Sequence, residues 1–373
     1  LALPFAPDRK IIGYREFEES PPMIATRPMT ETLRVKFISR VGLPDLNVGS
    51  DYLRRFPGRV PVWGNCRFIL DRASRDYDWL VVYDDLPRSH PVEELACPRE
   101  NTLFITGEPS SITHYGRHFL AQFGHVLTGQ EPWAIKHPAI IRQQPGLLWY
   151  YGGSDQRGTF DALAAASPPV KSKAISSVCS SKAMRHTLHA QRLAFTKRLM
   201  RDVPELDVFG YGMGHLDNKA DAIDPYRYHL VIENHSCPHH WTEKLADAFL
   251  GFSLPVYFGC TNLEDYFPAE SYLEIDIRDY DGARARILDL LSGDEYEQRL
   301  PAIIEARRRV LHEYSTFPQL ARLIALKQQP NPAPKRFPPG DASIHSRRAV
   351  RRRSPLGWPA ELWVRVSRLM RRS

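Results

Sequence analysis

The chain is poor in cysteine. It has five in 373 residues: Cys66, Cys97, Cys179, Cys237 and Cys260. The count is odd, the spacings are irregular and no CxxC pair occurs. That argues against a disulfide framework and suits a reducing compartment. No run of about 18 apolar residues is present, so the sequence encodes no transmembrane helix. The opening stretch, LALPFAPDRK, is too short for a signal-peptide core, and the absence of an initial Met leaves room for a trimmed segment or a lost anchor. Internal repeats are missing too. So is a spread of positive charge. The net charge is +7, but residues 331–373 hold eleven Lys and Arg against Asp341 and Glu361. The tail therefore carries +9 and the remainder −2. That distribution does not support a globally basic binder of nucleic acid. Proline is plentiful at 31, as in a loop-rich chain, and the length allows two domains with sizeable cores.

One stretch, residues 226–259, dominates what is present. Tyr228 to Ile232 is an apolar, aromatic and β-branched run, read as a buried strand. A polar loop from Glu233 to Trp241 packs in an acid, an amide, a thiol and three histidines. Thr242 is placed to cap a helix, and Leu245, Ala248, Phe249 and Phe252 form one apolar helical face. Leu254 to Phe258 is a second strand, ended by Gly259. This βαβ unit starts its helix at the carboxyl end of a strand, where open α/β sheets bind ligands. Lys244 in the first helical turn opposes the helix dipole, which points to an external phosphate or carboxylate. His235, Cys237, His239 and His240 suggest a metal, but their spacing is too tight to converge on one ion and no partner pair is evident. The expectation is therefore no metal site.

The ordered string Tyr226-Arg227-Tyr228, Leu230, Ile232-Glu233-Asn234, Thr242-Glu243-Lys244 and Pro255-Val256 with Gly259 resembles the donor-binding signature of glycosyltransferase family 10, the α-1,3-fucosyltransferases. Asn234 and Glu243 are nine apart, as in bacterial members. Ile232 for Phe, His235 before Ser236, and Trp241 for Ile or Val mark a distant, bacterial-type member. The resemblance implies a GT-B fold: α/β, two Rossmann-like domains facing a cleft. It implies further positions. Glu108, in Gly107-Glu108-Pro109 after a strand, matches the family's general base. Arg192, with Phe195 and Leu199, matches a donor-phosphate Arg, and Arg185 is its rival. Lys171 and Lys173 match a K-x-K that opens the donor domain, and Asp207 to Gly210 matches D-V-Y-G. Glu243 would accept from ribose hydroxyls, Asn234, His240 and Thr242 would line the donor site, and Lys244 would meet the diphosphate.

The remaining elements follow in order. Residues 1–32 read as an arm. Strands are expected at Leu33–Val41, Asp78–Asp84, Asn101–Thr106, Val126–Gly129, Ala174–Cys179, Leu206–Gly210 and Tyr272–Ile277. Helices are expected at Met184–Met200, Asp281–Leu291 and Glu295–His312. Asp76, Asp78, Asp84 and Asp85 suit turns better than a metal-binding D-x-D. Trp149, Tyr150 and Tyr151 suit core packing better than sugar stacking. Residues 33–165 are assigned to an acceptor-side domain, 170–327 to a GDP-sugar domain, and 328–373 to a Pro-rich linker and basic tail. Beyond Pro359, Leu362, Trp363, Val366, Leu369 and Met370 face one way and arginines another, as in a membrane-surface helix.

The implied function is inverting transfer of fucose from GDP-fucose to a hydroxyl of a glycan, with α-1,3 linkage to a GlcNAc-containing surface polysaccharide, as in lipopolysaccharide biosynthesis. No cofactor is required, and a divalent cation is at most stimulatory. The partners are a nucleotide sugar, a glycan acceptor and an anionic membrane surface met by Arg347–Ser373, without nucleic acid. The expected location is cytoplasmic, on the inner face of the membrane, in preference to a lumenal Golgi-type enzyme with a trimmed anchor. Two alternatives stand beside it: another GDP-linked deoxysugar as donor, or a non-catalytic, membrane-associated glycan-binding protein on the same fold.

Overall fold

The computed structural model describes residues 32–40, 52–153, 155–180, 187–328 and 343–353. The N-terminal sheet has seven strands: β1 (Leu33–Ser39), β2 (Val62–Trp63), β3 (Cys66–Ile69), β4 (Trp79–Tyr83), β6 (Thr102–Ile105), β7 (His125–Thr128) and β8 (Ile140–Arg142). Their order is β2-β3-β1-β4-β6-β7-β8. All pairs are parallel except β2 with β3. The central strands are apolar on both faces: Trp79 to Val82 are all buried. That is how a strand covered on two sides reads. The second sheet is wholly parallel, in the order β10 (Leu206–Phe209), β9 (Lys173–Val178), β11 (Tyr226–Ile232), β12 (Leu254–Phe258), β13 (Leu273–Glu274). Five helices matter here: α1 (His189–Asp202), α2 (Glu243–Leu250), α3 (Tyr280–Ser292), α4 (Glu295–Arg309) and α5 (Thr316–Lys327). Two doubly wound parallel sheets facing a cleft constitute the GT-B architecture expected from the sequence.

The expected strands and helices form, with shifted ends. The Tyr272–Ile277 strand shrinks to Leu273–Glu274, and the helix expected from Met184 begins at His189. Residues 184–186, with the rival Arg185, lie outside the described residues.

The chain crosses between domains twice. Leu147, Trp149, Tyr151, Phe160 and Leu163 already pack in the C-terminal core, although their sequence position suggests the N-terminal domain. Conversely, α5 sends Phe317, Leu320, Ala321 and Ile324 beneath the N-terminal sheet, beside Val35, Phe37, Phe68 and Val81. The two crossings are tied together. Thr316 donates both its N–H (3.1 Å) and its hydroxyl (2.8 Å) to the Leu147 carbonyl, and Gln319 Nε2 donates to the Gln144 carbonyl at 2.7 Å.

The C-terminal segment does not leave the body at residue 328 for good. Ser343–His345 (β14) pairs antiparallel with Val92–Glu94 (β5), and Arg347–Arg353 forms a short helix, α6. Arg347, expected in a free basic tail, donates from Nε to Asp85 Oδ2 at 3.0 Å, and its guanidinium lies 4.8 Å from the Tyr115 ring centre. The amphipathic stretch Leu362–Met370 lies outside the described residues.

Candidate active site

Two cavities open at the carboxyl ends of the sheets. The first, with about 710 Å³ of open space, lies between the ends of β9 and β11, where the strand order of the C-terminal sheet reverses. Such a switch point is the usual ligand crevice of a doubly wound sheet. Ser177 to Ser180, Arg192, Thr196, Lys219, Glu243, Lys244 and Asp247 are on its walls. The second cavity lies between the domains. Glu108, Gly107 and Gln130 form one side; His240, Trp241, Thr242 and Glu243 form the other. Glu243 is on the wall of both.

The start of α2 is built around a buried acid. Glu233 directly follows β11 and has no exposed surface. Its carboxylate accepts from Thr242 N–H at 2.8 Å, from the Thr242 hydroxyl at 2.8 Å and from Lys244 Nζ at 3.2 Å. Gly259 is required beside it, since a Cβ there would lie 2.5 Å from Glu233 Cγ. Thr242 caps α2 by accepting from Lys244 N–H at 3.4 Å. Lys244 Nζ also reaches Glu243 Oε1 at 3.1 Å. Burial opposes charge on Glu243, but Lys244 and Lys219 outweigh it and hold its pKa down to about 2. Burial likewise opposes charge on Lys244, and Glu233 and Glu243 more than compensate, so its pKa is raised. The result is a fixed cation at a helix N-terminus, flanked by a fixed anion.

Arg192 is buried on α1, and its Nε has no hydrogen-bond partner. The Thr196 hydroxyl, one turn further on, is buried and unpaired as well. Both line the first cavity. Orphaned buried donors are rare unless a ligand or water serves them. Lys219 Nζ sits in the same wall and pairs with buried Asp247 at 2.8 Å. Asp247 in turn accepts from the backbone N–H groups of Tyr150 and Tyr151, both at 2.8 Å, which ties the cavity to the interdomain segment.

Glu108 follows β6 at the lip of the second cavity, half-buried. Its pKa is raised, first by burial and then by the charges of Asp84 and Glu243, with Arg40 and Lys244 acting the other way. The turn that carries it is pinned. Tyr115 accepts from Gly107 N–H at 3.1 Å and donates to Asp84, and Gln130 Nε2 donates to the Glu108 carbonyl at 2.7 Å. Gly107 has no room for a side chain, because a Cβ would come within 2.9 Å of Asp84 Cβ.

Of the seven residues singled out in the sequence, Glu108, Arg192, His240, Thr242, Glu243 and Lys244 line these two cavities. Asn234 is on neither wall; its Oδ1 lies 3.4 Å from His240 Nε2 and steadies that ring. His240 lines the interdomain cavity instead of the larger one, and burial lowers its pKa to about 3, so it is neutral. The K-x-K lysines are structural. Lys171 Nζ is tied to the carbonyls of Ile223 and Gly251 and to Ser253 Oγ, and Lys173 pairs with Asp207 at 3.1 Å. The D-x-D aspartates are also committed: Asp76 and Asp78 to Arg34, Asp84 to Arg40 and Asp85 to Arg347. Lys219, Asp247, Arg40 and the structural role of Glu233 were not singled out, and Asp84 was read only as a turn residue. Only Glu233, inside the ordered string, left a sequence signal.

Comparison with known proteins bears on this geometry. Residues 168–299 match the family model described as glycosyltransferase family 10 (fucosyltransferase) C-term. Over these residues the C-terminal domain is similar to glycosyltransferase family 10. The family 10 match spans β9 to the first turn of α4 and so contains every wall residue of the first cavity. The 4-galactosyl-N-acetylglucosaminide 3-alpha-L-fucosyltransferase 9 of Cricetulus griseus is 30% identical over 113 residues, 29% of this chain and 30% of the relative. The alpha-(1,4)-fucosyltransferase of Arabidopsis thaliana is 36% identical over 58 residues, 16% of this chain and 14% of the relative. The chain thus matches less than a third of the length of either relative. Among solved structures, an alpha1,3-fucosyltransferase aligns with TM-score 0.48 and 14% identity over 86% of this chain and 95% of that one.

Proposed function

We propose that the chain transfers fucose from GDP-fucose to a glycan hydroxyl with inversion. The observation that carries this reading is the shared wall. Glu243 joins a cation-lined cavity in the domain similar to family 10 to a pocket holding one carboxylate of raised pKa. GDP would occupy the first cavity, its diphosphate met by Lys244 and by Arg192, whose Nε has no partner, with the N-terminus of α2 adding its dipole. Glu243, held ionised, would accept from ribose hydroxyls. The acceptor hydroxyl would enter the interdomain cavity. As its oxygen attacks C1, the C1–O bond to GDP breaks, and Glu108 takes the hydroxyl proton. A carboxylate suffices because that proton becomes acidic only as the new bond forms, and burial moves Glu108 toward the useful pKa range. The charge growing on GDP falls on preorganised cations, so the arrangement needs no metal to stabilise the leaving group.

The acceptor is read as a GlcNAc-containing surface polysaccharide with α-1,3 linkage, made on the cytoplasmic face of the membrane. The arginines beyond Arg347 would hold the chain to anionic lipid. Calorimetry tests the donor: GDP and GDP-fucose should bind and UDP should not, with or without manganese. GDP-mannose measured alongside decides between fucose and another GDP-linked sugar. Absence of binding by any GDP compound would remove the function and leave the fold.

A further inference from the structure

One side-chain cluster takes no part in this chemistry. Glu131 lies just beyond β7 in the N-terminal domain, while His235 and Cys237 lie in the loop between β11 and α2 in the C-terminal domain. One carboxylate oxygen, one imidazole nitrogen and the sulfur all lie within 4.8 Å of one another. Glu131 Oε1 is 3.0 Å from His235 Nε2, and Cys237 Sγ donates to the Gly129 carbonyl at 3.5 Å. The other carboxylate oxygen, Oε2, is buried and has no hydrogen-bond partner. The missing third ligand for the histidine loop therefore comes from the opposite domain, over a hundred positions away in sequence, where no spacing rule would reveal it.

We propose that Glu131, His235 and Cys237 form a zinc-class metal site that clasps the two domains beside the cleft. The donor set is one oxygen, one nitrogen and one sulfur, which suits zinc or cobalt and disfavours magnesium or calcium. Zinc holds such atoms at about 2.0–2.3 Å, so tetrahedral neighbours stand roughly 3.3–3.8 Å apart. With every separation within 4.8 Å, the sulfur has at most about 1.5 Å to close, while Glu131 and His235, at 3.0 Å, part slightly. His235 and Glu131 keep 15% and 20% of their side-chain surface exposed, which gives the ion an entry path and leaves a fourth position for water. On binding, the Cys237 thiol gives its proton to solvent as the sulfur–metal bond forms, and the proton that His235 Nε2 shares with the Glu131 carboxylate leaves for Nδ1 or for solvent, so that the freed Nε2 lone pair and the carboxylate oxygen both turn to the ion. Burial raises the thiol pKa in the free protein, so the metal itself must drive that deprotonation. The His235 and His240 rings meet edge to face at 5.4 Å, so the ion would also steady the loop that carries a wall of the interdomain cavity. The site would act as a clamp on domain closure, apart from the transfer step.

The test is cobalt titration of the metal-free full chain. A single equivalent should bring up a near-ultraviolet sulfur-to-cobalt charge-transfer band with tetrahedral visible absorption, displaced by zinc and untouched by magnesium. Cys237→Ser should abolish the band. Glu131→Gln and His235→Gln should each weaken binding by about tenfold or more, and Cys97→Ser should change nothing. A wild-type spectrum without the band, or a band that survives Cys237→Ser, overturns the proposal. Should Cys237→Ser fail to fold, X-ray absorption on the zinc-loaded wild type decides: one sulfur among oxygen and nitrogen ligands supports the site, and a shell without sulfur refutes it.

Discussion

Replacing Arg192 by Met separates a ligand-binding arginine from a structural one. Arg192 is 6% exposed, its Nε has no partner, and no carboxylate pairs with it among the described residues. A buried unsatisfied polar group costs about 1–3 kcal/mol. Methionine keeps much of the apolar stem and removes the orphaned donor. The ligand-free variant should therefore unfold at the wild-type temperature or above it. Relief of about 1 kcal/mol corresponds to roughly 2–4 °C for a domain of this size. With GDP present the sign reverses. Losing hydrogen bonds to a charged group costs about 1.5–3 kcal/mol, a drop in affinity of roughly 10- to 150-fold. Thermal unfolding gives the first quantity and calorimetry the second. A variant that melts several degrees early and binds GDP as well as wild type would refute the reasoning and make Arg192 a core residue.

Three further outcomes follow from the same contacts. Lys244→Ala strands the fully buried Glu233 carboxylate; breaking a buried pair from one side should cost about 3–5 kcal/mol in denaturant titration, and Glu233→Gln added to it should restore part of that loss. The pH profile of transfer should have an acid limb, because Glu108 must be ionised and its pKa is raised, so activity falls as pH drops through that raised value. Asp84→Asn should move the limb to lower pH and Arg40→Ala to higher pH, and shifts in the opposite senses would disprove Glu108 as the titrating group. Phe317→Ala should cost about 3–5 kcal/mol, with the N-terminal domain losing stability first, since Phe317 sits among Phe37, Phe56 and Phe68 although it follows the C-terminal sheet in sequence.

The parts legible in sequence were those set by local pattern. Tyr226 to Gly259 shows its short apolar runs, its cap and its helical stripe openly, and the structure puts strand, cap, helix and strand there. Glu108 was legible through the family resemblance, on its place in Gly107-Glu108-Pro109 just after β6 (Thr102–Ile105). Features that depend on two distant segments meeting were not legible. Helix α5 shows a normal apolar stripe, but nothing local says that this face packs under the other domain. The Lys219–Asp247 pair and the Asp84–Tyr115 contact join residues 28 and 31 positions apart. Glu131 and His235 are 104 apart. Arg347 looked like one cation among several in a basic run, and its partner Asp85 is 262 positions away. Asn234 shows the converse limit: an ordered string can be complete while one member turns its side chain to a neighbour instead of the cavity.

The most direct test of the central claim is single-turnover transfer from GDP-fucose by the wild type and by Glu108→Gln, with GDP affinity measured on both. The account predicts a rate lower by about 10²- to 10⁴-fold and unchanged GDP affinity, since Glu108 lines the interdomain cavity and not the larger one. Transfer at the wild-type rate by Glu108→Gln would contradict it.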